Sequence, residues 1–236
     1  MTNELRLTDR SRTTCDWQCR RKRYLQYEWG GKGIVSGKTH LELFLGSCLH
    51  DALAAIALQY KAGVVDIDLI ATTAQQQMMK ALLIDTNGEV EEIDFASEQA
   101  CLVEGMIRGF YKHVWSSLIV QYPNIIAIEQ EVQYKLDDSL LFMAKPDLVL
   151  ADNEGNWHYC EYKSTSSKSE NWVNSWATAI QLQSTVKAIE QTLGTMPVDV
   201  QVLGLYKGFS SYNKQNSPFC YCYKRTGTPP FSQDQT

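Results

Sequence analysis

Apolar residues recur at two periods along this chain, and the change from one to the other divides it. Between 46 and 62, Leu49, Leu53, Ile56 and Ala57 fall three and four apart, the spacing of one buried helix face. The same period runs through 14–28, through 65–83 (VDIDLIATTAQQQMMKALL) and through 94–121, with an acidic loop over 85–94. From residue 125 the apolar runs shorten and take on strand character at 125–135, 140–151 and 157–163. A helix over 171–193 and strands near 198–206 and 219–224 complete the pattern. The polar tail 226–236, with Pro229-Pro230, is predicted to be disordered. Helices first, then strands, a helix and further strands predict an α/β core over 125–224. Helices occupy 11–62 at the N-terminus and 66–121 after it. No internal repeat or linker divides the chain, so a single domain is expected.

The most informative stretch is FMAKPDLVLADNEGNWHYCEYKS. Asn153-Glu154-Gly155-Asn156 is a turn signal between two apolar runs and closes a hairpin. If 153 and 156 flank the turn, Asp147 falls opposite 161 or 162. Side chains alternate faces along a strand, so Glu161 and Lys163 share one face and Tyr162 points away. Two carboxylates and a lysine then converge on one small volume. With the Tyr162 carbonyl they form an oxygen-rich site for a hard divalent cation such as magnesium or manganese, with Lys163 placed to orient a water. A Glu-x-Lys pair is also what an alternating surface strand with a cross-strand charge pair looks like. Pro146-Asp147, the turn length and the apolar context favour the site.

These residues resemble the PD-(D/E)XK nuclease superfamily, and within it the RecB-type exonucleases and the CRISPR-adaptation nucleases. KPDLVL and EYKSTSS are similar to its second and third motifs. LGSCLHDAL resembles the first, mapping onto Gly46 and His50. The resemblance implies that His50, Asp147 and Glu161 hold the metal, and that the fold is restriction-endonuclease-like, a mixed sheet of about four to five strands flanked by helices, with the helices 66–121 an insertion packed beside or above its cleft. QLQSTVKAIE falls where the family carries Gln-x-x-x-Tyr on the following helix. Gln181 takes the glutamine, with Gln183 as an alternative register, while Thr185 stands where the tyrosine would be. CRRKRYLQYEWGGKG resembles the N-terminal basic and aromatic helix of the group. The implied activity is metal-dependent hydrolysis of DNA at ends or in single strands, in recombination, repair or the processing of phage or foreign DNA, with a helicase or recombination protein as a possible partner. Other accounts are an RNA-cleaving or site-specific endonuclease, a non-catalytic nucleic-acid-binding scaffold, and a partner-dependent subunit of a larger assembly. The chain carries no phosphate-binding loop of its own that would make it a motor.

By themselves the secondary features read more plainly. His50 suits the polar edge of an apolar helix, and Gln181 a solvent-facing helix position. Glu129 and Glu131, at alternate spacing on the strand 125–135, suit a solvated face, Glu131 being an outside candidate for the site.

Charge distribution qualifies the nucleic-acid reading. The net charge is −5, yet residues 1–38 hold nine basic residues against four acidic ones. Arg20, Arg21 and Arg23, interleaved with Tyr24 and other aromatics, form an arm suited to a phosphate backbone and exposed bases. An amphipathic helix with its aromatics turned inward explains the same pattern. Lys207, at a strand end, is a further phosphate contact.

Seven cysteines in no regular framework fit a reducing compartment. Cys15 and Cys19 near one end and Cys220 and Cys222 near the other supply four thiolates, the number an iron–sulfur cluster takes, although their spacing departs from the resembled pattern. Cys48, Cys101 and Cys160 read as core. An N-terminus without an apolar leader and the lack of an uninterrupted apolar run of about 18 residues predict a cytoplasmic protein with no membrane partner.

Overall fold

The computed structural model describes residues 6–34, 41–84, 90–166, 169–176, 179–207 and 223–227. The predicted disordered tail falls almost wholly outside them. Its framework is a five-stranded mixed sheet of β2 (Asn124–Ile128), β5 (Leu148–Ala151), β6 (Trp157–Thr165), β7 (Asp199–Tyr206) and β8 (Tyr223–Gly227), in the order β2-β5-β6-β7-β8. Only β6 and β7 run parallel, and the helix α8 (Ile180–Leu193) connects them. A smaller sheet, β1-β4-β3, joins β1 (Arg6–Thr8), β4 (Leu140–Ala144) and β3 (Val132–Asp137).

Strand alternation builds two cores, one on each face of the large sheet. Leu148, Leu150, Cys160, Tyr162, Leu203 and Leu205 pack on one side against α3 (Leu41–Lys61), α4 (Ile67–Ile84) and α5 (Val90–Phe110). Val149, Tyr159, Val200 and Val202 pack on the other against Leu182, Val186 and Ile189 of α8. Buried residues of α3 fall at Leu45, Cys48, Leu49, Ala52, Leu53, Ile56 and Ala57, the three-and-four spacing of a single helix stripe. The expected insertion 66–121 therefore covers a face of the sheet. By length and mean hydropathy α3 is apolar enough to cross a membrane, although Glu42, His50 and Asp51 interrupt its apolar residues, and its stripe is spent on this core.

Several expected elements are divided. The strand 125–135 is two strands broken at Glu129–Glu131, and the strand 140–151 is two broken at Lys145–Asp147. The arms of one long hairpin thus pass from the small sheet into the large one, and the Glu129 N–H donates to the Asp147 carbonyl (3.1 Å) where both turn the corner. Glu129 takes a left-handed backbone, φ 46°, rare for a residue other than glycine. The N-terminal helix 14–28 is instead α1 (Arg10–Gln18), α2 (Arg20–Arg23) and a π turn over Tyr24–Glu28. Cys19, with an extended backbone, separates α1 from α2. The segment 94–121 stays helical but passes through a π turn at Tyr111–Trp115 into α6 (Ser116–Gln121). The helix 171–193 is a short α7 (Glu170–Asn174) followed by α8. Cys48 and Cys160 are core, whereas Cys101 is half-buried.

Candidate metal centre and nuclease site

The hairpin that carries the site closes as its turn residues dictate. Asp152 accepts from the N–H groups of Glu154 and Asn156 (both 2.9 Å) and from the Asn156 side chain (3.0 Å), and Gly155 supplies a φ of 86°. Leu148, the first residue of β5, pairs with Cys160, so Asp147 lies just ahead of that strand, beside 161–162. There its Oδ2 accepts from the Tyr162 N–H at 2.6 Å. The N–H and C=O of one strand residue leave the same edge, so the Tyr162 carbonyl also faces the gap beyond β5. The Tyr162 ring points away, edge-on to Phe110 (5.5 Å) and His50 (6.2 Å).

Two linked clusters meet at this corner. In the first, His50 Nδ1 lies 2.8 Å from Asp147 Oδ1 and 3.7 Å from Glu129 Oε1, while Lys145 Nζ pairs with Glu129 at 2.9 Å. One donor atom from each of His50, Glu129 and Asp147 lies within 4.8 Å of the others. Burial works against a charged His50, but its hydrogen bonds to Asp147 and Glu129 prevail and raise the imidazole to about 10. Burial and the neighbouring Glu161 charge raise Asp147 to about 6, against the pull of His50 and Lys163. Glu129 is lowered, because His50 and Lys145 outweigh its burial. Two carboxylates thus share the charge of one imidazolium. A divalent cation at the same three donors would replace that charge and leave the ring a neutral ligand, so the donor set fits one. Oxygen donors suit magnesium and manganese alike, and the imidazole leans toward manganese.

In the second cluster Glu161, buried, accepts from Lys163 Nζ, from the Tyr159 hydroxyl and from Gln181 Nε2, the last at 2.7 Å. The Lys163 ammonium also lies 5.7 Å over the Trp176 ring. Gln181 Oε1 is buried without a hydrogen-bond partner.

The expected metal set and the observed donor group differ by one carboxylate. Glu161 is held by Tyr159, Lys163 and Gln181, and Glu129 takes the third place beside His50 and Asp147. Glu129 turns inward because the corner gives it a left-handed backbone, whereas Glu131 is exposed. Period-two reading puts both glutamates on one face and cannot see this break. Of the two glutamines, Gln181 reaches Glu161 and Gln183 is exposed. Tyr159 was not singled out in the sequence. Its hydroxyl occupies space beside Thr185, which faces it from α8. Its spacing two residues before Glu161, on the same face, was the available signal.

Other expected contacts fall away from this corner. Arg23 is paired with Glu28 (3.1 Å) and Asp16 (3.8 Å), Tyr24 packs edge-on to Trp29 (6.0 Å), and Arg20 and Arg21 are exposed. Lys207 pairs with Glu42 of α3. Cys15 is buried, its Sγ 3.5 Å from Gln26 Oε1, and Cys19 is exposed. Cys220 and Cys222, the other half of the expected cluster, lie outside the described residues.

A histidine, two carboxylates and an adjoining glutamate–lysine pair at the open end of an α/β sheet define a metal-binding hydrolase class of site. The chain belongs to the PD-(D/E)XK nuclease superfamily, whose family model matches residues 11–218. Its fold is accordingly restriction-endonuclease-like, and its family implies nucleic acid as substrate. No curated protein matches it. Among solved structures it is similar to one titled "Crystal structure of SSO0001", at 11% identity over 68% of this chain and 79% of that chain, with a TM-score of 0.31.

Proposed function

We propose that this chain is a magnesium- or manganese-dependent deoxyribonuclease that hydrolyses phosphodiester bonds at DNA ends or in single strands. The reading is carried by one juxtaposition, the His50–Glu129–Asp147 donor group beside Glu161, Lys163 and Gln181. His50, Glu129 and Asp147 would hold the cation, with the Tyr162 carbonyl and Glu161 at its margin. Bound there, a divalent cation lowers the pKa of water and draws charge from the phosphoryl oxygens. Lys163, steadied by Glu161 and the Trp176 face, donates a hydrogen bond to the attacking water or to a phosphoryl oxygen. Gln181 fixes Glu161 through its amide nitrogen, and its free carbonyl oxygen can accept from the same water. The fitting biological settings are recombination, repair and the processing of phage or foreign DNA, in the cytoplasm.

The test is incubation with end-labelled single-stranded and linear duplex DNA in manganese, in magnesium and in chelator, beside Lys163→Ala. Metal-dependent cleavage abolished in the variant is the expected result, with a ladder from the ends marking an exonuclease. Folded protein that binds manganese but cuts nothing would point to a subunit that needs a helicase or recombination partner. Protein that binds no cation would overturn the reading.

A further inference from the structure

Two clefts open beside the nuclease corner, of about 360 and 380 Å³, and they share Arg10, Phe142 and Gln181. They adjoin at these three residues and together make a path between α1 and α8, floored by the small sheet. On the α1 bank stand Arg10, Thr13, Thr14 and Trp17, spaced as a single helix face. That face is polar, basic at one end and aromatic at the other, and Trp17 is 71% exposed. On the opposite bank, among the described residues, no side chain caps α8 at Ala179, whose carbonyl accepts from the Leu182 N–H (3.0 Å), and the first turn of α8 forms the wall. The N-terminal end of a helix suits a phosphate. The floor is aromatic, with the Tyr134 and Phe142 rings 5.4 Å apart. At its inner end the path is lined by Tyr159 and Gln181, two of the groups that hold Glu161, and by Lys145, the partner of Glu129. Asp9, also on this path, is turned to its own helix, accepting from the Arg12 N–H at 2.9 Å.

We propose that this path carries a single, unpaired DNA strand to or from the nuclease corner. Arg10, Thr14 and the start of α8 take phosphates, and Trp17 stacks on a base. Stacking on a side chain demands a base freed from its partner, so the occupant is a single strand and not a duplex. Continuity with Gln181 and Lys145 makes the path part of the same site. The inference deepens the deoxyribonuclease reading and rests on it. It also relocates the nucleic-acid contact from the arm Arg20–Tyr24, where Arg23 and Tyr24 are engaged internally, to the exposed face of α1.

The test uses fluorescence anisotropy of the full chain in chelator, so that nothing is cut, with a short labelled oligo-dT, the matching oligo-U and a blunt duplex. Oligo-dT should bind more tightly than the duplex. Trp17→Ala should weaken it about tenfold or more, the loss of one stacked base. Arg10→Ala should weaken it and flatten its salt dependence by about one phosphate contact. Val120→Ala, at an exposed site on α6, should bind as the parent does. Unaltered binding in both α1 variants would overturn the proposal, as would a duplex bound as tightly as oligo-dT. Preference for oligo-U would overturn the assignment to DNA. A parent protein that cuts DNA in manganese while the α1 variants bind normally removes the path alone. Path-dependent binding by protein that neither binds manganese nor cuts DNA removes the deoxyribonuclease reading alone.

Discussion

Glu129 illustrates how a single residue trades stability for chemistry. Its φ of 46° costs on the order of 1–3 kcal/mol in a residue with a Cβ, and in return its carboxylate meets His50 and Lys145 at the corner. Glu129→Gly removes the strain together with the ligand. Thermal melts should show that variant within about 1 kcal/mol of the parent, because the relief offsets the lost ion pairs and the added chain entropy. Calorimetric titration with manganese should show affinity falling at least about tenfold. A variant that binds manganese normally would remove Glu129 from the donor group. Tyr159 makes the complementary case. Burial keeps its hydroxyl protonated and a donor, and it gives Glu161 one of its three hydrogen bonds. Tyr159→Phe should cost about 1.5–3 kcal/mol, the range for a hydrogen bond to a charged group, read by denaturant unfolding. Cleavage should fall with it, since Glu161 then loses one of the contacts that aim it at Lys163. Unchanged turnover would make Tyr159 a packing residue only. The residue types and spacing of both are visible in the sequence, but their roles are not, for physical reasons. A left-handed backbone inside an apparent strand leaves no mark in hydrophobic periodicity, and a buried tyrosine looks the same whether or not its hydroxyl meets a carboxylate.

At the scale of elements, the hairpin from Leu148 to Thr165 was legible because local chemistry governs it. Asn153 to Asn156 marked the turn, and alternation put Glu161 and Lys163 on one face and Tyr162 on the other. What local chemistry does not spell out is the bend that sends 124–137 and 140–151 from one sheet into another, since the polar residues at the corners, Glu129 to Glu131 and Lys145 to Asp147, also suit the solvated face of an unbroken strand. The turn itself can be tested through Asp152. Hydrogen bonds from Asn156, above all from its side chain, and from Glu154 and His158 hold its carboxyl at about 2, below its ordinary 3.8. A depressed folded-state pKa contributes stability that is complete above the unfolded value and is lost as pH falls through the folded one. Asp152→Ala should therefore melt below the parent from neutral pH down to about pH 4, and the gap should close as pH approaches about 2. A gap that does not vary with pH would mean that the turn is held by Gly155 and the backbone instead.

Across the whole molecule, the candidate site draws on α3, the β2–β3 corner, the β4–β5 corner, β6 and α8. His50 and Asp147 are 97 residues apart in sequence yet bonded at 2.8 Å, so this donor group exists only when the helical layer is seated on the sheet. A cation bound by them ties two layers together and binds the unfolded chain poorly. Mass action then makes the fold itself a reporter of the site. Manganese at a hundredfold excess over its dissociation constant should add about 2.7 kcal/mol. For a chain of this length that is a rise of about 5–10 °C in melting temperature. Chelator should reverse it, and His50→Ala and Asp147→Asn should each abolish it while remaining folded enough to melt cooperatively. Magnesium should act in the same direction but less strongly, because one of the three donors is an imidazole nitrogen. A melting temperature indifferent to both cations in the parent protein would remove the metal centre, and with it the chemistry proposed for Lys163.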